Sequence, residues 1–178
     1  MKKLLLCLIG VAASLAMQAQ KFTSEKSAVS FFSHASIEDI AAKTDKSNSI
    51  FNMSTGEIVF SIPIKDFEFE KALMKEHFNE KYMETEKYPK STFQGKITNF
   101  QQTVSGEQEA RAVGKLTIHG VTKNVELPGK IEVAEGRVVM KSKFVIKLAD
   151  YKIKIPTLLW KNIAEQVEVT IEFTYKTL

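Results

Sequence analysis

His34, His77 and His119 are the side chains best suited to acid–base or metal chemistry. In Glu76-His77-Phe78-Asn79-Glu80, His77 and Glu80 stand three residues apart, a spacing that places an imidazole and a carboxylate on adjacent turns of a helix. That supplies two ligands, whereas zinc takes three or four from protein. A solvated helix surface accounts for the same residues. His119 precedes Gly120 in a hairpin signal, where a histidine bonds turn backbone more readily than it acts as a base. There is no Gly-x-Ser-x-Gly elbow and no phosphate-binding glycine loop. No spacing singles out a pair of carboxylates for acid–base work. Cys7 is the single cysteine and lies in the apolar start of the chain. A mature chain without it has no disulfide, thiolate metal site or cysteine nucleophile. These residues point to a protein that is not an enzyme, with no metal and no cofactor.

What the sequence offers instead is apolar surface. It holds twelve phenylalanines beside one tryptophan and four tyrosines. Such residues either fill a core at native packing density or line a pocket for a long apolar ligand. The elements that carry them determine which faces they share.

Alternation is the clearest pattern in those elements. Val167, Val169, Ile171, Phe173 and Tyr175 alternate with Glu168, Thr170, Glu172, Thr174 and Lys176. Successive side chains of a strand point to opposite faces, so the first set faces a core and the second faces water. Val138, Met140, Phe144, Ile146 and Leu148 share another apolar face. Val125, Leu127, Ile131 and Val133 make a third, and Ile58, Phe60, Ile62 and Ile64 a fourth. Shorter strands fit residues 28–34, 92–99, 110–118 and 151–155. Ser54-Thr55-Gly56, Ser105-Gly106, His119-Gly120 and Glu135-Gly136 punctuate these runs as turns.

Residues 70–84 break the period. They are rich in helix formers, with Phe69, Leu73, Phe78 and Tyr82 along one side and Met74 and His77 flanking them. Tyr88-Pro89 stops the helix. Residues 36–43 read as a short helix capped by Ser36 or, nearly as well, as a strand. The expected fold is all-β: a closed antiparallel β-barrel of about eight strands with one or two short helices. Closure removes the sheet edges that invite aggregation. A barrel of this size is filled by side chains or holds one small ligand.

The start of the chain reads as a secretory signal peptide over residues 1–19. Lys2 and Lys3 precede an apolar run, and Ala16 and Ala19 offer alternative cleavage points. Residues 20–178 then form one domain of ordinary size. Removing Lys2 and Lys3 halves the formal charge of +4. The remaining charges are interspersed, without the basic stripe that nucleic acid requires. No second apolar run is long enough to span a bilayer, so the protein is not expected to be integral to the membrane.

Leu116-Thr117-Ile118-His119-Gly120-Val121-Thr122-Lys123 resembles the most recognisable segment of the YceI-like family. His77-Phe78-Asn79-Glu80 followed by Lys87-Tyr88-Pro89-Lys90-Ser91-Thr92-Phe93 is similar to the family's upstream pattern, in the same order. The resemblance runs from about residue 21 to 178. Residues 70–76 and 150–161 depart from the common pattern. The resemblance implies a lipocalin-like barrel, periplasmic or secreted in bacteria, that binds a polyisoprenoid or quinone-like chain in its interior. Dimerisation is compatible with such barrels. On the alternation, Phe31, Phe60, Ile62, Phe93, Leu116, Phe144, Ile146 and Phe173 would line the tunnel, while Leu73, Phe78 and Tyr82 would close one end. The alternative is a barrel with a packed core that serves as a stress-related partner of another envelope protein. Leu158-Leu159-Trp160 would mark its docking patch.

Overall fold

The computed structural model describes residues 21–34, 39–134, 136–155 and 164–178. The signal segment, Ser36, Glu135 and the Leu158-Leu159-Trp160 patch lie outside the described residues. Ten β-segments follow one another: β1 (Lys21–Ser33), β2 (Ile40–Thr44), β3 (Asn48–Asn52), β4 (Glu57–Pro63), β5 (Glu68–Phe69), β6 (Lys90–Thr98), β7 (Gly106–Ile118), β8 (Val121–Ala134), β9 (Arg137–Lys147) and β10 (Gln166–Thr177). Helix α1 (Ala72–His77) runs directly into one π turn (Phe78–Tyr82), between β5 and β6.

The segments make one sheet that closes on itself. Its order is β10-β9-β8-β7-β6-β4-β3-β1, and β1 pairs with β10 from Phe22↔Thr177 to Phe32↔Glu168. β2 and β3 are two parts of one long strand against β1, which meets Ile40–Thr44 with its second half and Asn48–Asn52 with its first. Ser27 holds the break between them: its hydroxyl donates to the Asp45 carbonyl at 2.8 Å and accepts from the Ser47 N–H at 3.1 Å. β5 likewise continues β4 beyond a single 3-10 turn (Ile64–Asp66) and pairs with β2. Counted this way, the fold is a closed eight-stranded antiparallel barrel of lipocalin-like form with one short helical region, as the alternation implies.

The alternation translates directly into inside and outside. In β9, Val138, Met140, Phe144 and Ile146 are buried while Lys141, Lys143 and Lys147 are exposed. In β10, Ile171, Phe173 and Tyr175 are buried. Thr174 is the exception, buried where water was expected; it sits opposite Lys26, beside the bulge of β1 between Ser24 and Lys26. A bulge turns a strand locally and re-aims the side chains next to it. The β7–β8 connection is a two-residue hairpin with His119 at φ 49° and Gly120 at φ 71°. Two positive φ values in succession define the tight turn that matches strand twist.

Three sequence expectations change. Residues 151–155 are not a strand: Leu148–Tyr151 forms a 3-10 turn that ends at Lys152, whose φ of 57° breaks the extended run. The helical alternative for residues 36–43 fails from Ile40 onward, because Ile40–Thr44 is taken up between β1 and β5. β3 was not anticipated, since five residues with only Ser49 and Phe51 turned inward are too short for a clear period.

One end of the barrel is crowded with rings. Phe22 and Phe51 lie 6.4 Å apart, Phe51 and Tyr175 6.2 Å, Tyr175 and Phe173 5.9 Å, Phe173 and Phe60 6.0 Å, and Phe60 and Phe93 5.2 Å. The one phenol in this column is satisfied. Ser49 donates its hydroxyl to the Val59 carbonyl at 2.9 Å, so the Tyr175 hydroxyl donates to Ser49 Oγ at 2.7 Å.

Candidate functional site

The other end of the barrel is not filled. Its cap is built from the segment between β5 and β6. Helix α1 has no buried residue and only six residues, so it does not stand on its own propensity. It is held by Phe78, whose ring lies 4.9 Å from Phe69, 5.4 Å from Phe31 and 5.8 Å from Phe67. Phe31 also meets Phe67 at 5.5 Å and Phe69 at 5.9 Å. The four rings join β1, β5, the 3-10 turn and the helix. Beyond Phe78 the helix widens, the Met83 N–H bonding the Phe78 carbonyl at 2.8 Å. Such π turns cost regular geometry and often mark sites of function.

The far end of the cap is fastened by His119. Its Nδ1 donates to the Tyr151 carbonyl at 3.2 Å, and its Nε2 lies 2.8 Å from Glu84 Oε2. The Tyr88 ring packs edge-on against it at 4.5 Å. A Cβ at position 120 would run into that ring, so glycine is required there by space as well as by φ. The hairpin histidine thus reaches beyond its own turn and ties together the β7–β8 turn, the stretch after the cap and the 3-10 turn after β9.

Under this cap lies a cavity of about 300 Å³. β1 contributes Val29, Phe31 and Ser33; β4 contributes Phe60 and Ile62; β7 contributes Leu116 and Ile118; β9 contributes Phe144 and Ile146; β10 contributes Val167, Val169 and Ile171. Ile40, Ile64, Phe67, Phe69, Met74, Met83, Leu148 and Ile153 complete the apolar surface. Its polar side chains are Ser30, Ser33, Ser91, His77 and Tyr82, and no Lys, Arg, Asp or Glu appears among the described lining residues. Burial pushes the Tyr82 phenol up from its ordinary range, so it stays a neutral donor at physiological pH. The two methionines give the wall adaptable surface. A second cavity of about 60 Å³ reaches the surface beside the exposed Arg111, Lys130 and Lys141, and Phe60, Phe144 and Ile171 line both.

A YceI-like domain model matches residues 21–175. The chain belongs to the YceI-like family. The YceI-like barrel is also similar to solved structures. One is a polyisoprenoid binding domain from Saccharophagus degradans implicated in plant cell wall breakdown, with a TM-score of 0.76 at 16% identity over 88% of this chain and 98% of that one. Another is BcnA of Burkholderia cenocepacia, with a TM-score of 0.71 at 17% identity, covering 83% and 95% of the two chains. A third is a YceI protein of Campylobacter jejuni, with a TM-score of 0.62 at 19% identity over 82% and 88%. At these identities the likeness is one of fold. A search of curated proteins returns no match.

Of the residues singled out on sequence, Phe31, Phe60, Ile62, Phe78, Tyr82, Leu116, Phe144 and Ile146 stand on the wall of the larger YceI-like cavity. Three stand elsewhere. Leu73 is 61% exposed. Met74, Phe78 and Tyr82 are spaced by four and share the inner side of the helix, which turns their neighbour Leu73 outward. Phe93 is buried beneath Phe60 and Phe173 lines the smaller cavity, both belonging to the packed end. The residues missed are instructive. Ile64, Phe67 and Phe69 come from a 3-10 turn, the residue that ends it and a two-residue strand, which have no period to read. Val29 shares the parity of Phe31 and was within reach of the alternation. No group of three or more His, Cys, Asp or Glu is placed to hold a metal among the described residues, and no described helix is long and apolar enough to cross a membrane.

Proposed function

We propose that this protein is an exported carrier that holds an isoprenoid lipid or a quinone-like tail in the capped end of its barrel. Residues 1–19 would be its signal peptide and the periplasm or the secreted medium its place of work. The observation that carries the reading is the apolar cavity of about 300 Å³ between the Phe31–Phe78 ring cluster and the packed rings. Binding would proceed by burial alone. Each CH₂ taken out of water contributes about 0.8 kcal/mol, so a chain needs few directional contacts. Ser91, His77 and Tyr82 offer the few polar groups that would orient it. The similarity to a polyisoprenoid binding domain supports the same class of ligand.

The test is extraction. The protein purified from a periplasmic fraction should yield an apolar lipid in stoichiometric amount when its organic extract is analysed by mass spectrometry. Phe60→Arg, which sets a charge in the wall, should abolish uptake while the circular dichroism spectrum is kept. An extract without lipid, together with failure of the purified protein to take up prenols in solution, would overturn the proposal.

A further inference from the structure

The sheet closes through β1 and β10, but one of its other ladders is incomplete. β8 pairs with β7 along its whole length, from Gly106↔Val133 to Ile118↔Val121. It pairs with β9 only from Lys130↔Lys141 to Ala134↔Arg137, so residues 121–129 and 142–147 have no ladder between them. Pro128 explains the break. Its carbonyl faces β9, where it accepts from the Ser142 hydroxyl at 2.6 Å. The N–H and C=O of a strand residue point to the same side, so the amide needed to carry the ladder onward belongs to a residue that has none. The strands are still close at Gly129, where a Cβ would lie 2.7 Å from the Lys141 carbonyl. Burial records the parting beyond it. Ile131, within the paired part, is fully buried, whereas Leu127, Val125 and Val121 on the same inward face are only half buried.

The fork leads inside. The cavity of about 60 Å³ lies at it, with Leu127, Pro128 and Gly129 on one side and Lys141, Ser142 and Phe144 on the other. Phe60, Phe144 and Ile171 are shared with the cavity of about 300 Å³. Phe60 is stacked on Phe93 at 5.2 Å, whereas Phe144 stacks on no ring among the described residues and is free to turn. Among the described residues β8 supplies none to the wall of the larger cavity, although its neighbours β7 and β9 supply Leu116 and Ile146. The opening has two ends. Ser142 ties the lower one to Pro128, and Lys123 ties the upper one to Asp150, after β9, at 2.9 Å. Residues 124–127, between these ties, span roughly 13 Å. That is shorter than a usual strand of roughly five or six residues but wider than an alkyl chain. The outer lip is apolar, with Val145 56% and Val113 44% exposed. The cations beside it do not make an anion site, since Lys130, Arg111 and Lys141 are paired with Glu107, Glu126 and Glu172.

We propose that the fork between β8 and β9 is a side entrance by which an apolar chain enters and leaves the barrel, with Ser142 as its catch. The inference rests on the carrier reading above and concerns the route to that site. The chain slides in past Val145 and Leu127 and reaches the larger cavity as Phe144 turns aside. The cap stays shut throughout, because neither the Phe31–Phe78 rings nor the His119 contacts need to break.

The experiment is stopped-flow uptake and release of the neutral probe N-phenyl-1-naphthylamine by the purified protein carrying Cys7→Ser, Glu126→Cys and Val145→Cys. Positions 126 and 145 would face each other if the Lys130↔Lys141 ladder continued, and both are exposed. Joining them by a disulfide should slow uptake and release alike by about tenfold, with Kd changed by less than about twofold, and reduction should restore both rates. An entrance moves the two rates together, whereas a damaged wall moves the affinity. Ser142→Ala, which frees the Pro128 carbonyl, should speed both rates by about fivefold at the same Kd, the effect of one lost hydrogen bond. Unchanged rates in the cross-linked protein, or in folded Ser142→Ala where the disulfide does not form, would overturn the side entrance and leave the carrier reading intact. Failure of the unmodified protein to bind the probe at all would defeat the carrier reading and the entrance with it.

Discussion

Tyr175 is the largest side chain that the barrel hides completely. Burial pushes its phenol above the ordinary tyrosine range, with the Ser49 hydrogen bond pulling the other way. The unfolded chain releases that proton near pH 10, whereas the folded barrel keeps it. Above that pH the unfolded state binds fewer protons, so stability falls by up to about 1.4 kcal/mol per pH unit. Tyr175→Phe should remove this part of the slope and cost about 1 kcal/mol at neutral pH. Urea unfolding at a series of alkaline pH values checks it, and parallel curves for the two proteins would mean that Tyr175 ionises inside the folded barrel. Tyr82 and Tyr151, also raised by burial, remain in both proteins and contribute equally. The inward face of Tyr175 was plain in the alternation of β10. Its bond to Ser49 was not, because β3 is too short to show a period and the two residues lie 126 positions apart.

At the scale of elements, the cap is the weakest part of the fold. Helix α1 buries nothing of its own, and Phe78 supplies its attachment through three rings. Phe78→Ala should therefore release the cap without opening the barrel. The expected signature is faster hydrogen exchange at amides 74–83 against unchanged protection in β9 and β10, with a loss of about 1–2 kcal/mol in global stability, since Phe78 is only half buried. Equal acceleration in the strands would show that the cap and the barrel unfold as one unit. The existence of this helix was legible in its composition. Its orientation was misread by one residue, because Leu73 is the more apolar neighbour while Met74 keeps the four-residue spacing with Phe78 and Tyr82. The rings it docks on come from Phe67 and Phe69, in stretches with no repeating pattern, and only the closed sheet brings them together.

For the whole molecule, the crowded rings and the larger cavity occupy opposite ends of one barrel. The ring column from Phe22 to Phe93 fills one end, and the other leaves room for a ligand. A ligand that binds the folded state alone stabilises it by about 2.7 kcal/mol at a hundredfold excess over its Kd. For a chain of this size that corresponds to a rise in Tm of roughly 5–10 °C. Delipidated protein titrated with dodecanol should show that rise by differential scanning calorimetry, with the far-ultraviolet circular dichroism of the folded state unchanged. A flat Tm would argue against any ligand in the cavity. The closed barrel could be argued from strand number and alternation. The division into a ring-filled end and a more open one could not, since Phe93, Phe144 and Phe173 all read as inward-facing and their height along the barrel depends on the register of strands far apart in sequence.

The ladder that closes this sheet joins residues 22–32 to 168–177, and the Leu178 N–H reaches back to the Lys21 carbonyl at 2.9 Å. During synthesis, then, β1 precedes every other strand and has no β10 to pair with until residues 166–177 have emerged from the ribosome. Until that moment the nascent chain is an open sheet at best, with two bare edges and a strand separation that makes closure a slow step. The same delay exposes the unfinished edges to any chaperone that recognises extended strands.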